Sequence, residues 1–188
     1  MILVIDTSGS QAVLATIDGA RRSEVRIPAR DPALLPAMRQ VAREGNVTKV
    51  AVATGPGSFT GLRVGVSFGL GLAIGLRIPI VPLPTLEIQA ARSDEPVTAV
   101  VDAGRGRYYF KVPGERPGLG EPAAIPTSHD LAGNVADRRS LVAAGHRFKP
   151  DEQLRPFVEA TEILLRTARE VPYRNLEMEY IQSFSAHR

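Results

Sequence analysis

The apolar positions of this chain fall into short runs divided by turn residues. Ile2 to Asp6 is continuously apolar until it ends on a carboxylate, the pattern of a strand covered on both faces. Gln11–Ile17 and Arg22–Ile27 follow, set off by Ser8-Gly9-Ser10 and by the hairpin signal Asp18-Gly19. Asp31-Pro32 then supplies an N-cap and first turn, with Pro36 an alternative start. Leu34, Leu35, Met38 and Val41 share one helical face, and Gly45 stops the helix. Val50–Thr54 predicts a fourth strand and Thr60–Leu76 a helix. Ile78–Leu83 predicts a proline-bearing strand near a sheet edge, and Thr85–Arg92 a short helix.

Ser93-Asp94-Glu95-Pro96 interrupts the pattern and predicts a boundary between a first lobe, residues 1–95, and a second, residues 96–188. The pattern then restarts. Val97–Asp102 ends on aspartate as Ile2–Asp6 does, a turn follows, and Arg107–Val112 is a second strand. Asp6 and Asp102 lie half a chain apart, which implies duplication. The copy is reduced: Pro113–Pro126 reads as loop, Leu141–Ala144 as a short strand, and Asp151–Glu170 as one long closing helix. That helix would carry Leu154, Phe157, Val158, Ile163, Leu164 and Ala168 on its apolar side. The last eighteen residues show no clear periodicity.

Inside the helix after Val50–Thr54, Gly57, Gly61, Gly65 and Gly69, then Ala73, recur every four positions and line one face. Each helical glycine costs about 1 kcal/mol relative to alanine, a loss that very close approach of another backbone would offset. The stretch Gly55-Pro56-Gly57-Ser58-Phe59-Thr60-Gly61-Leu62-Arg63-Val64-Gly65 resembles the signature of the bacterial TsaB (YeaZ) family of the actin-like ATPase superfamily. The resemblance is strongest from Met1 to about Ala91 and returns over Val100–Tyr109. It implies an α/β fold of two ribonuclease-H-like lobes, the second reduced, which agrees with the element order. It also implies a partner subunit of the machinery that forms threonylcarbamoyladenosine in tRNA, binding and activating a TsaD-type transferase beside a TsaE-type ATPase. In that reading the chain is a homodimer when alone and meets tRNA only through the complex. The chain departs from the family where Arg26–Asp31 lacks a His-Ser pair and where Met178–Gln182 replaces a Pro-x-Tyr-x-Arg tail.

Composition narrows the chemistry. Cysteine is absent, which excludes disulfides and thiolate chemistry. The net charge is only +3, and arginine dominates it, since Lys49, Lys111 and Lys149 are the only lysines. Arg21, Arg22, Arg26 and Arg30 cluster, as do Arg138 and Arg139, without interleaved aromatics, so neither is read as an RNA site by itself. The N-terminal run is too short for a secretory signal, and Val64–Leu76 falls short of a membrane helix. A cytoplasmic protein with no membrane association is expected.

In active superfamily members two phosphate-holding turns face each other across the cleft. Here they would be Asp6–Ser10, with Asp6, Thr7 and Ser8, and Asp102–Gly106, with Asp102. These are the candidate nucleotide ligands, beside the plainer reading that each aspartate caps its own turn. No glycine-rich adenosine pocket stands near Ala143–His146. Tight cofactor binding is therefore not expected, and ATP or ADP is expected only in complex with partners. His129, His146 and His187 form no helical pair of the kind that holds metal in the TsaD family, and each is expected to face solvent. No Ser/His/Asp spacing marks a hydrolase. The rival reading is an ATP-dependent small-molecule phosphotransferase. The expected association surface is the glycine-striped helix and its neighbour at 32–44, through Leu35, Met38, Gly61, Arg63, Gly65, Gly69 and Gly71.

Overall fold

The computed structural model describes residues 1–179 and 181. Strands β1 (Ile2–Asp6), β2 (Gln11–Asp18), β3 (Arg21–Pro28), β4 (Lys49–Gly55) and β5 (Ile80–Pro84) form one sheet in the order β3-β2-β1-β4-β5. Central β1 runs antiparallel to β2 and parallel to β4. It is buried on both faces, as its unbroken apolar run requires. Leu3 and Ile5 point to the side covered by α1 (Leu34–Glu44) and α2 (Phe59–Leu76), and Val4 points to the opposite side. Proline-bearing β5 occupies an edge, where a missing backbone donor costs least.

The second sheet repeats this plan with fewer parts. Strands β6 (Thr98–Gly104), β7 (Arg107–Lys111), β8 (Gly118–Gly120) and β9 (Leu131–Asn134) lie in the order β8-β7-β6-β9, with β6 antiparallel to β7 and parallel to β9. That is the order of the first four strands of the first sheet. The architecture is α/β, two ribonuclease-H-like lobes, the second lacking, among the described residues, a counterpart to β5. Between them lies α3 (Thr85–Ala90), whose Ile88 packs into the first lobe's core while Leu86 packs on Ala99 and Val101 of β6.

Three expectations are corrected. Residues 139–143 form a short helix, α4 (Arg139–Ala143), not a strand; Asp137 accepts from Arg139 N at 2.9 Å just before it begins. The strand lies earlier, at β9, hidden in the sequence by its turn-like Gly133-Asn134. A side chain at Gly133 would collide with Val100 O of the paired strand, so the glycine serves close pairing rather than a turn. The closing helix is short, α5 (Phe157–Leu165), because Pro156 forces an extended residue at its start.

The third correction moves the lobe boundary. α5 does not complete the second lobe. Phe157 and Val158 pack with Val4, Val13, Ile17, Ala51 and Leu83 on the open face of the first sheet. α3, with six residues, is too short to cover that face alone. Glu24 Oε2 accepts from Val158 N at 2.9 Å, and Arg22 binds Glu162 in a bidentate pair through Nε and Nη2 at 2.6 and 2.8 Å. The chain then continues along β5, where Tyr173 Oη donates to Ile78 O at 2.9 Å and Glu179 N to Thr54 O at 2.8 Å. The first lobe is therefore 1–95 completed by 157–179.

The glycine stripe settles against its own lobe. A side chain at Gly61 would strike the carbonyl of Thr7, one at Gly65 the Thr7 hydroxyl, and one at Gly69 the side chain of Val52, whereas Gly71 and Gly75 face open space. Gly61→Ala is expected to destabilise the chain by about 1–3 kcal/mol through overpacking against immovable backbone. Gly71→Ala is expected to stabilise it by about 1 kcal/mol. Urea denaturation of both variants checks this, and equal effects would refute the assignment of faces.

Candidate functional site

The turn after β1 is buried and internally bonded. Asp6, Thr7 and Ser8 are each no more than 2% exposed. Asp6 Oδ1 accepts from Ser8 N at 2.8 Å, Thr7 Oγ1 donates to Gly61 O at 2.6 Å, and Ser58 N donates to Ser8 O at 2.7 Å. Ser58 also caps α2, its side chain accepting from Gly61 N. From the other lobe, Asn134 sits directly on Gly9, where a Cβ would overlap its amide. Its Nδ2 donates to Gln11 O at 3.0 Å, and its Oδ1 accepts from Ser10 Oγ at 3.3 Å. The turn is thus packed between α2 and the second lobe, with Ser8 N taken by Asp6 and Gly9 covered by Asn134.

Asp6 Oδ2 and Ser8 Oγ are buried without hydrogen-bond partners. Burial pushes the Asp6 carboxyl above its ordinary value, against the opposing pull of the Ser8 bonds and of Arg26. Asp102 is half-buried; its Oδ2 accepts from Ala136 N at 2.7 Å, and it too is raised, first by burial and further by Asp137. The turn beyond it, Gly104-Arg105-Gly106, runs through three consecutive left-handed residues and is exposed. Asp6 therefore caps its own turn, whereas Asp102 reaches across to the segment after β9.

Among the described residues no group of three or more His, Asp or Glu side chains converges as a metal site. His146 departs from expectation: it is buried, and its Nε2 donates to Pro122 O at 2.9 Å, holding the β8–β9 connection. His129 is half-buried and shares a hydrogen bond with Ser128; His187 lies outside the described residues.

The second candidate is the outer side of α1 and α2. Met38 is fully buried in the core, and Gly61, Gly65 and Gly69 face inward, so these four leave the expected association surface. Leu35, Arg63 and Gly71 remain on it. Leu35, Phe59, Ile74 and Leu76 are each about half exposed. A shallow groove of about 490 Å³ runs between the helices, floored by Phe68, Gly71 and Leu72 and rimmed by Arg39 and Arg43. Among the described residues neither rim arginine has a carboxylate partner. At the far end, Arg63 stacks 3.8 Å over Phe59. By length and mean hydropathy α2 would also pass for a membrane helix; its glycine face, however, is seated on β1 and β4. The stripe signalled α2 correctly, but its period alone does not distinguish the inner from the outer glycines.

The arginine clusters brace the fold. Arg22 and Arg26 pair with Glu162 and Glu24, Arg138 with Asp151, and Arg139 with Asp137.

Residues 31–138 match the sequence model of a family described as TsaD, tRNA N6-adenosine threonylcarbamoyltransferase. The protein named tRNA threonylcarbamoyladenosine biosynthesis protein TsaB from Bacillus subtilis is 29% identical over 72% of this chain and 62% of its own length. Its namesakes from Haemophilus influenzae and Escherichia coli are 30% and 29% identical over 58% of this chain and about half of theirs. The chain thus matches about half to three-fifths of the length of these relatives. Two solved structures of YeaZ-type proteins from Pseudomonas aeruginosa superpose on 96% of this chain and 99% of theirs, with TM-scores of 0.73 and 0.71 and 21% and 20% identity.

The buried carboxyl makes a pH prediction. Because the folded-state value of Asp6 is raised, folding retains its proton, and the carboxylate weakens the fold as pH rises above the ordinary value of 3.8. The stability of Asp6→Asn relative to wild type should therefore grow from pH 4 to pH 7 in denaturant titrations. A difference independent of pH would show that Asp6 does not carry this cost.

Proposed function

This chain belongs to the TsaB (YeaZ) family, within the broader family whose sequence model is described as TsaD, and on that premise we propose that it is a non-catalytic docking subunit of tRNA threonylcarbamoyladenosine synthesis. The observation that carries the reading is the contrast between its two candidate sites. The turn that would hold phosphate is filled by α2 and Asn134. The outer side of α1 and α2 is open, with half-exposed apolar side chains beside a groove whose floor is apolar and whose rim is basic. A surface helix whose glycines are taken up by its own sheet still presents Gly71, Leu72 and Leu76 outward, a low-relief floor on which another helix can lie.

In this reading the partner is a TsaD-type transferase, which supplies the catalytic groups and any nucleotide or metal. A TsaE-type ATPase joins the complex, and tRNA is met through it, in the cytoplasm. Alone, the chain uses the same face to form a two-fold homodimer, since one self-complementary patch serves both copies. Unpaired Arg39 and Arg43 favour a partner with acidic residues beside its apolar ridge.

Leu35→Glu combined with Gly71→Trp should leave the circular dichroism spectrum unchanged. It should weaken both self-association, by sedimentation, and capture of a TsaD-type partner at least tenfold, about 1.4 kcal/mol. A folded variant that keeps both associations would place the docking surface elsewhere. Phosphate release from magnesium-ATP by the chain alone, lost in Asp6→Ala, would favour the phosphotransferase reading instead.

A further inference from the structure

A second cavity, of about 360 Å³, lies between the lobes, away from the α1–α2 face. Its walls bring together three guanidinium groups far apart in sequence: Arg26 from β3, Arg92 just after α3, and Arg138 at the start of α4. Asp151 and Gln89 complete the polar lining, and Val13 and Phe157 form an apolar floor.

The positive charge there is not fully compensated. Arg26 Nη2 donates to Glu24 at 2.9 Å, and Arg138 Nη2 donates to Asp151 at 3.0 Å. Arg92 has no carboxylate partner among the described residues; its Nε donates to the carbonyl of Arg155 at 3.1 Å. Burial first, and then the like charge of Arg26, hold its guanidinium below the ordinary arginine value, with Arg138 adding to this and Asp151 and Glu24 opposing it. Beside it Gln89, only 2% exposed, has a buried Oε1 with no hydrogen-bond partner. A buried acceptor without a donor is destabilising.

We infer that this interlobe cavity binds a small phosphate-class oxyanion, with Arg92 as its principal ligand, Arg26 and Arg138 beside it, and Gln89 Oε1 accepting from the anion's hydroxyl. Unpaired guanidinium edges match phosphate oxygens, and a hydroxyl-bearing phosphate supplies the donor that Gln89 lacks. The cavity falls within the size range of small-ligand sites, roughly 300–1,000 Å³. Its lining comes from β2, β3 and α5 of the first lobe, from α3 and the residues just after it, and from β9 and the segments that follow it, so an anion held there would tie the lobes together. This inference does not rest on the docking reading, and the two surfaces share no residue.

The test is isothermal titration of the full chain with inorganic phosphate and, separately, with ATP, at fixed ionic strength. Phosphate should bind wild type near one per chain, and Arg92→Gln should raise its Kd at least tenfold. Arg26→Gln, a change on a half-exposed strand residue, should also weaken binding and serves as the test should Arg92→Gln fail to fold. Leu35→Glu, on the docking face, should not affect it. ATP binding lost in Arg92→Gln would identify a nucleotide as the bearer of the phosphate and supports the site. No heat with either titrant, or binding that persists in the folded arginine variants, overturns it. So does ATP binding lost in Asp6→Ala but kept in Arg92→Gln.

Discussion

Where α2 meets the end of β1 the helix puts no side chain between itself and the loop. Thr7 Oγ1 reaches Gly61 O at 2.6 Å, and Ser58 N reaches Ser8 O at 2.7 Å. Five glycines in α2 forfeit roughly 5 kcal/mol of helix propensity relative to alanine. Three of them make this contact possible by letting the helix approach the β1 turn and the side chain of Val52. Much follows from it. The β1 turn is consumed as a structural joint, and Asp6 is sealed beneath it. The remaining side of α2 turns outward beside α1.

The two lobes are not successive domains. α3 gives Ile88 to one core and Leu86 to the other, and the chain returns through α5 to cover the first sheet. Arg155 secures the crossing: its backbone N donates to Arg92 O at 2.7 Å, and its guanidinium to Ala91 O at 2.8 Å and to Asp94. Asn134 latches β9 to the Ser10 hydroxyl and the Gln11 carbonyl from the other side. These joints fix the spacing of the lobes, and with it the walls of the arginine-lined cavity between them. Two charged residues of β3 act here too, since Arg22 and Glu24 hold α5.

The first lobe was legible because its signals are local. β1 is one apolar run, Asp18-Gly19 makes its hairpin, and Ser58 before a glycine-striped run starts α2 close to where the pattern places it. Duplication was legible from two strand-ending aspartates. The second lobe was legible only in its first two strands, β6 and β7. Gly133 is a close-approach residue that reads as a turn, and Leu141 with Val142 alternates in burial as a strand would while lying on a five-residue helix. Pro156 was there to be read as a break and was overridden by the apolar spacing around it.

The sequence by itself determined the succession of strands and helices along the first lobe and the helix that dominates its surface, because each rests on periodicity and turn chemistry within a few residues. Its glycine-rich signature carried the resemblance that implied the fold class. Only tertiary structure decided which glycines face inward. A period of four defines one stripe but does not say whether the sheet or the solvent lies against it. Tertiary structure also decided that residues 157–179 complete the first lobe, that Met38 is core, and that Arg26, Arg92 and Arg138 converge. Each of these depends on contacts between residues tens of positions apart, and the order of residue types along the chain carries no local mark of such distances.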